Sequence, residues 1–286
     1  MQFEAKIIED SISPAGVRLT TLQLCYPRLV HSELMTHRVL SRNASSSRAI
    51  PVAKMIEQVR NNPAMPVHWG KNQAGMQAGE ELSPMAKEGV KQLWLQAAKD
   101  AASTAQVMSD MGLHKQVANR ILEPFQWIHV IVTATEWSNF FALRDHPDAD
   151  PNIQLLAQVM AKAHNDSKPV YRDSRGYYEH AWHLPYVTAR ERELYPNELG
   201  VRHLCKLSAA RCARVSYLTH DGDVPDPAKD LALYERLVGS RPMHASPIEH
   251  QAMVWEHADS SRDFSGNFRG WTQFRKIIEA EMPEMV

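Results

Sequence analysis

The alternation of apolar and polar positions marks two extended segments near the start of the chain. Phe3 to Glu9 and Val17 to Leu24 carry β-branched residues in partial alternation and are expected to be strands. Pro27 suits the first turn of a helix running through Leu34 and Met35 to about Leu40. Residues 51–83, rich in Pro, Gly, Gln and Asn, read as loops around a short helix at 53–61. Ser83-Pro84 opens a long helix in which Met85, Val90, Leu93, Leu95, Ala98 and Ala101 form an apolar face as far as about Met111. A further helix near Lys115 to Leu122 is stopped by Pro124, and Trp127 to Thr133, β-branched and aromatic, is the best central-strand candidate. Trp137 to Leu143 and Pro151 to His164 read as helices. Lys168 to Pro196 shifts to Pro, Tyr, Arg and His, as in an irregular segment over the surface. Leu199 to Tyr217 is helical again, with Ala209-Ala210 permitting close packing, and Pro227 to Val238 has Asp226 as N-cap and Pro227 at its first position. His250 to Glu256 reads as a short strand, and Arg262 to Glu281 contains a Trp/Phe-bearing amphipathic helix. No repeat and no clear linker divides the chain, so one α+β domain, a mixed α/β arrangement, is expected over residues 1–286.

Composition narrows the functional classes. With 286 residues, 44% hydrophobic and 23% charged, the chain suits a soluble globular protein with a substantial core. A net charge of −1 gives no global basic field for nucleic acid or a membrane surface, so any anion must be held by a local cluster. No apolar run approaches the roughly 20 residues that span a bilayer, and the first residues lack the layout of a secretory signal. Cys25, Cys205 and Cys212 form no CxxC pair, and a reduced cytoplasmic compartment is the expectation.

The local cluster is easy to find. Thr36-His37-Arg38-Val39-Leu40-Ser41-Arg42-Asn43-Ala44-Ser45-Ser46-Ser47-Arg48 puts three arginines, a potentially cationic histidine and several hydroxyls in one run. Arg supplies a planar fork of donors and hydroxyls complete the shell, which suits a phosphate or pyrophosphate better than a plain solvated loop. Arg120 precedes Pro124 at a helix end, where it suits the dipole. Asn139 and Arg144 lie five apart, roughly 140° around a helix. His244-Ala245-Ser246-Pro247-Ile248-Glu249-His250 offers two imidazoles and a carboxylate, but its spacing matches no standard zinc motif. Ser246-Pro247 with Glu249 reads first as a capping box. No GxGxxG, Walker loop or GxSxG elbow is present, no cysteine stands in a Pro-Cys-His context, and Cys212 reads as buried packing.

Together these segments resemble the flavin-dependent thymidylate synthases. The Arg-His-Arg signature, followed by seven residues and a Ser, is represented by Thr36-His37-Arg38 with Ser46 and Arg48. Arg120 to Pro124 matches a helix-end Arg before a Pro, Asn139 to Arg144 matches an Asn five before an Arg, and Asp148-Ala149-Asp150-Pro151 loosely represents a His-Ala-Gln helix. Two segments that precede the signature in the family stand near the other end here: Ala213-Arg214-Val215-Ser216-Tyr217 and His244 to His250. The order resembles a circular permutation, with a signature half at about 1–167, a connecting segment at about 168–198, a second motif-bearing half at about 199–257 and a helical tail at about 258–286. The resemblance covers most of residues 16–165 and 208–257.

What the resemblance implies is specific. The fold is expected to be a small antiparallel or mixed sheet with long helices. FAD, with NADPH and methylenetetrahydrofolate as co-substrates, would convert dUMP to dTMP without a cysteine nucleophile, in a homotetramer with shared sites. Arg144 would bind the uracil, and Ser46, Arg48 and Arg120 the phosphate, with Glu33 where a Gln contacts the nucleotide. His37, Arg38, Asn139, His244, Ser246 and Glu249 would lie at the flavin; Arg144, Ser46 and His37 are the catalytic candidates, and no metal, nucleic acid or membrane partner is implied. Thr36 replaces the first Arg of the signature, Ala44 a usual Glu, and Thr135 and Glu136 stand in place of an Asn-x-Arg flavin contact. Those departures motivate two alternatives, a relative that installs a hydroxymethyl or other one-carbon group on a deoxypyrimidine nucleotide and a nucleotide- or flavin-binding homologue without catalysis. A metalloenzyme using His244 and His250 is a more distant third.

Overall fold

Strand pairing around the apolar run at 127–134 organises the larger sheet. The computed structural model describes residues 2–175, 178–215, 226–254 and 262–283. β1 (Glu4–Ile12) and β2 (Arg18–Pro27) form an antiparallel hairpin whose turn needs Gly16, at φ +77°. After a 3-10 turn at Arg28–Val30 come α1 (His31–Met35) and β3 (Ser41–Ala44), then α2 (Val52–Asn61), α3 (Pro84–Asp110) and α4 (Lys115–Ala118). β4 (Trp127–Ala134), α5 (Ser138–Arg144), α6 (Pro151–Asp166) and β5 (Val170–Tyr171) complete the first part. The sheet order is β3-β4-β2-β1-β5, antiparallel except for the parallel β1–β5 pair, so 127–133 is central as its composition predicts. A second sheet, β6-β7-β8, is built from β6 (Trp182–His183), β7 (Ala252–Val254) and β8 (Trp271–Gln273). Around it lie α7 (Ala189–Leu194), α8 (Glu198–Arg214), α9 (Pro227–Val238) and α10 (Phe274–Glu281). The architecture is α+β, with small sheets and long helices.

Period-two alternation on β4 divides the interior. Ile128, Val130 and Val132 join Leu22, Leu24, Phe140, Ile153 and Leu156 on the face covered by α1, α5 and α6. Ile131 points the other way, onto Cys212 and Val215 at the end of α8. Leu19 packs into a second cluster with Trp182, Leu204, Trp271 and Phe274, and a third joins α2, α3, Leu122 and Phe125.

Several expectations need correcting. The first helix ends at Met35 because Thr36 Oγ1 donates to Glu33 O (2.7 Å), while Arg42 donates to Met35 O (2.8 Å) and His37 O (3.1 Å). β3 was hidden because Ser-Arg-Asn-Ala has no apolar alternation; backbone pairing to β4 makes it an edge strand. α3 buries Ala98, Ala102 and Ala105, where small side chains let α2 approach, and leaves Met85 and Leu93 exposed. The helix after Lys115 tightens at Asn119 into a 3-10 segment, Asn119–Phe125, which contains Pro124 rather than stopping at it. Residues 181–185 of the segment expected over the surface are buried, and its complete capping box, Thr188 with Glu191, opens α7. No such box forms at Ser246: Ala245 is the N-cap of a 3-10 turn, Ser246–Glu249. Gln273 lies in β8, which the tail pattern concealed. Ser216, Tyr217, Trp255 and Glu256, at the ends of two expected elements, lie outside the described residues.

A fully buried polar chain fastens the two sheets together. Ser11 Oγ meets His183 Nδ1 (2.9 Å), His183 Nε2 meets Thr21 Oγ1 (2.7 Å), Thr21 meets Thr133 (2.7 Å) and Thr133 meets His250 Nδ1 (2.8 Å). Burial holds both imidazoles neutral: His250 is lowered to about 3 and His183 well below its ordinary value. The unfolded chain takes up protons near pH 6.5 and the native state does not, so this contribution is complete above that pH. It declines as pH falls toward 3, by about 2 kcal/mol at pH 5 for His250, and His183 adds to the loss in the same direction. Urea midpoints should drop accordingly between pH 7.5 and pH 5; a constant midpoint would contradict buried neutral imidazoles.

Candidate active site

The turn after β3 is held by side chains that hydrogen-bond its backbone. Asn119 Nδ2, fully buried, donates to Ser47 O (2.7 Å) and Ile50 O (3.0 Å), and Lys115 Nζ donates to Ala49 O (2.9 Å). Ser45 Oγ accepts from His129 N (3.1 Å), and Ser47 Oγ donates to Glu123 (3.0 Å). Alternate residues are thus spent inward, and Ser46 and Arg48 face outward into a cavity of about 470 Å³. Arg42, by contrast, is consumed by the carbonyls at the end of α1.

The opposite wall comes from far along the chain. His244, Ser246 and Pro247 line the same cavity, together with Ala213, Leu237, Asn43, His114 and Gln116. The 246–249 turn is set against β3 by Gln273, whose Nε2 donates to both Ser41 Oγ (3.2 Å) and Glu249 O (3.1 Å). Asn43 Nδ2 donates to Cys212 O (2.9 Å), which ties β3 to the end of α8. Among the described residues no Asp or Glu lines the cavity, while Arg48, His114 and His244 do. A donor-rich lining with no carboxylate among its described residues suits an anion.

A second constellation forms around Arg144. Its Nη1 pairs with Glu33 (2.8 Å), its Nη2 donates to Thr36 Oγ1 (3.2 Å) and its Nε donates to His37 Nε2 (3.0 Å). His37 is therefore an acceptor; desolvation, then Arg144 and Arg42, push its pKa down, and the imidazole is neutral rather than cationic. Burial outweighs the Arg144 attraction at Glu33 and holds that carboxyl above its ordinary value. His37 also packs edge-on against Phe140.

The remaining candidates divide. Arg120 is taken by Glu123 (2.8 Å), which Arg28 also contacts (3.0 Å), and is not among the cavity-lining residues. Glu249 is paired with Arg275. Arg38 and Asn139 are exposed, and Arg38 has no ion pair among the described residues. Neither is among the residues that line the cavity with His244 and Ser246; His37 and Glu249 are already engaged. His250 is buried against Thr133 and not beside His244 in the cavity lining. Among the described residues no group of three His, Cys, Asp or Glu is placed to hold a metal, and no helix is long and apolar enough to cross a membrane. Sequence reading missed Asn43, His114, Gln116 and Leu237: Asn43 stood inside the signature run, whereas the others carried no signal beyond their helices.

The model of the family described as thymidylate synthase complementing protein matches residues 12–170, more than half of the chain. The chain belongs to that family, the flavin-dependent thymidylate synthases. The matched stretch contains the signature run, Arg120 and Arg144. Among solved structures, similarity is found to a UMP/dUMP methylase, PolB, from Streptomyces cacaoi bound with 5-Br dUMP. That pair has 15% identity, a TM-score of 0.47, and covers 57% of this chain and 89% of that one. Thymidylate Synthase X from Helicobacter pylori with FAD and dUMP is also similar, at 15% identity and a TM-score of 0.38, over 51% of this chain and 67% of that one. A comparison with curated proteins gives no match.

Asn119→Ala should cost about 2–3 kcal/mol, because two buried carbonyls lose their donor. Chemical denaturation measures that loss, and phosphate binding at the cavity should weaken with it as the Ser46–Ile50 turn loosens.

Proposed function

We propose that the chain is an FAD- and NADPH-dependent enzyme that transfers a one-carbon unit from methylenetetrahydrofolate to C5 of dUMP and reduces it, giving dTMP. The observation that supports this reading best is the convergence of Ser46 and Arg48 with His244 and Ser246 on one cavity that no carboxylate lines among the described residues. Only the family's two motif-bearing regions, here in reversed order, supply those four side chains. That convergence also favours a single permuted catalytic domain, and the family a homotetramer that shares its sites. The absence of a membrane-length helix among the described residues is compatible with a cytoplasmic enzyme.

On this reading Ser46 and Arg48 bind the nucleotide phosphate by charge-assisted hydrogen bonds. Arg144 lies against the uracil carbonyls, where a guanidinium favours the N3-ionised form and the electron density that C5 needs for attack. Arg38, Asn139, His244 and Ser246 hold the flavin, with His37 and Glu249 bordering it. FAD, when bound, supplies the hydride chemistry that reduces the transferred carbon. No protein nucleophile is needed. All three cysteines are buried, and desolvation raises the thiol pKa of both Cys205 and Cys212, which keeps them protonated.

The Glu33–Arg144 ion pair favours attention to a second reading. Arg144 must leave Glu33 to meet a base, and this departure, with Thr36 and Ala44, motivates a relative that leaves the new carbon at the hydroxymethyl stage. Mass spectrometry of the product formed from dUMP, NADPH, FAD and methylenetetrahydrofolate decides: conversion of C5–H to C5–methyl supports the proposal, and an added oxygen supports the alternative. Protein that binds flavin but consumes no NADPH with dUMP would indicate a homologue without catalysis.

Arg144→Ala should abolish turnover with the denaturation midpoint little changed, since the pair it breaks is only half-buried; retained turnover removes Arg144 from the chemistry. Glu33→Gln should change stability by less than about 1 kcal/mol. It should also lower the dissociation constant for dUMP, by releasing Arg144 and removing a carboxylate, and calorimetric titration reads that directly.

A further inference from the structure

The turn between α3 and α4 delivers a side chain into the cavity by a defined route. α3 ends in a left-handed cap at Gly112 (φ +86°), with Gly112 N donating to Ser109 O (2.9 Å) and Leu113 N to Met108 O (3.0 Å). This paired closure is the Schellman pattern, and glycine takes its left-handed position without a Cβ penalty. The chain then reverses into α4 with His114 as its N-cap. Lys115, the next residue, is bonded to Ala49 O, so the turn is fastened to the loop that carries Ser46 and Arg48.

His114 is held by its own backbone neighbourhood. Its Nδ1 accepts from Gln116 N (3.3 Å). A neutral imidazole whose Nδ1 is an acceptor carries its proton on Nε2, so Nε2 is a donor in this arrangement. His114 lines the cavity with Ser46 and Arg48 and has no carboxylate partner among the described residues. Arg120, which the family resemblance assigns to the phosphate, is spent on Glu123 and absent from the lining. Asn43 marks the contrast. Cys212 O can only accept, so Nδ2 must face it and Oδ1 is left on the other side, an acceptor unsuited to phosphate.

We propose that His114 reads the phosphate of the nucleotide monoester, its Nε2–H donating to a phosphate oxygen in the place that Arg120 leaves empty. This rests on the nucleotide reading of the cavity given above. The role is binding rather than bond-making: His114 contributes to the affinity for the 5′-phosphate and is silent toward a ligand that lacks one.

Calorimetric titration of the FAD-loaded protein with dUMP and with 2′-deoxyuridine separates these effects. The wild type should prefer dUMP. His114→Ala should weaken dUMP by roughly tenfold, the order of one hydrogen bond to a charged group, and leave deoxyuridine unchanged. His114→Gln, which keeps an N–H donor, should restore most of the loss, and in turnover the change should fall on KM with kcat retained. Unaltered dUMP affinity in His114→Ala overturns the proposal, as does an equal loss for both ligands, which would mark His114 as a wall of the cavity only. A wild type that binds neither ligand, or binds both alike, overturns the nucleotide reading itself and this inference with it.

Discussion

The hydrogen bond between Thr133 and His250 is the constraint on which the cavity depends. Thr133 belongs to the central strand of the first sheet and His250 to the segment that leads into the second. Their contact, with Thr21 and His183 on one side and the 246–249 turn on the other, fixes how a C-terminal loop meets the signature run. Polar contacts in a dry interior are directional, and a neutral imidazole accepts through one nitrogen and donates through the other. Apolar packing alone, through Ile131 on Cys212 and Val215, would tolerate sliding. The hydroxyl–imidazole chain does not.

The signature run illustrates how few of its charges remain for a ligand. Arg42 closes the end of α1, Ser45 and Ser47 tie down their own turn, and His37 accepts from Arg144. Arg38, Ser46 and Arg48 are left. Most of this polar segment therefore acts as scaffold that orients the remaining three side chains, a division set by the alternation of a strand and the geometry of the turn after it. The same economy governs Arg120, whose neighbour Glu123 already serves Arg28 and Ser47.

Legibility followed the physics of each element. α2, α6 and α9 were readable because a helix of nearly three turns or more repeats its apolar face, and α6 and α9 also announce their starts; Asp226 caps α9 where the pattern placed it. β4 was readable from its β-branched density. β3 and β8 were not, since three or four residues that depend on backbone pairing leave little mark in side-chain composition. Ser46, Arg48, His244 and Ser246 were legible as motif residues, and the structure brings all four to one cavity. Asn43, His114 and Gln116 were hidden because their placement comes from long-range closure: Cys212 is 169 positions from Asn43. The pairing of Glu33 with Arg144 lay equally beyond a linear reading.

The deep placement of the three thiols has a practical corollary. With Cys25, Cys205 and Cys212 all inside the fold, thiol-alkylating reagents find no native thiol while the protein stays folded. A cysteine introduced at a surface position would be the sole accessible thiol, so a fluorophore or spin probe can be installed at one chosen point without first stripping the chain of its own.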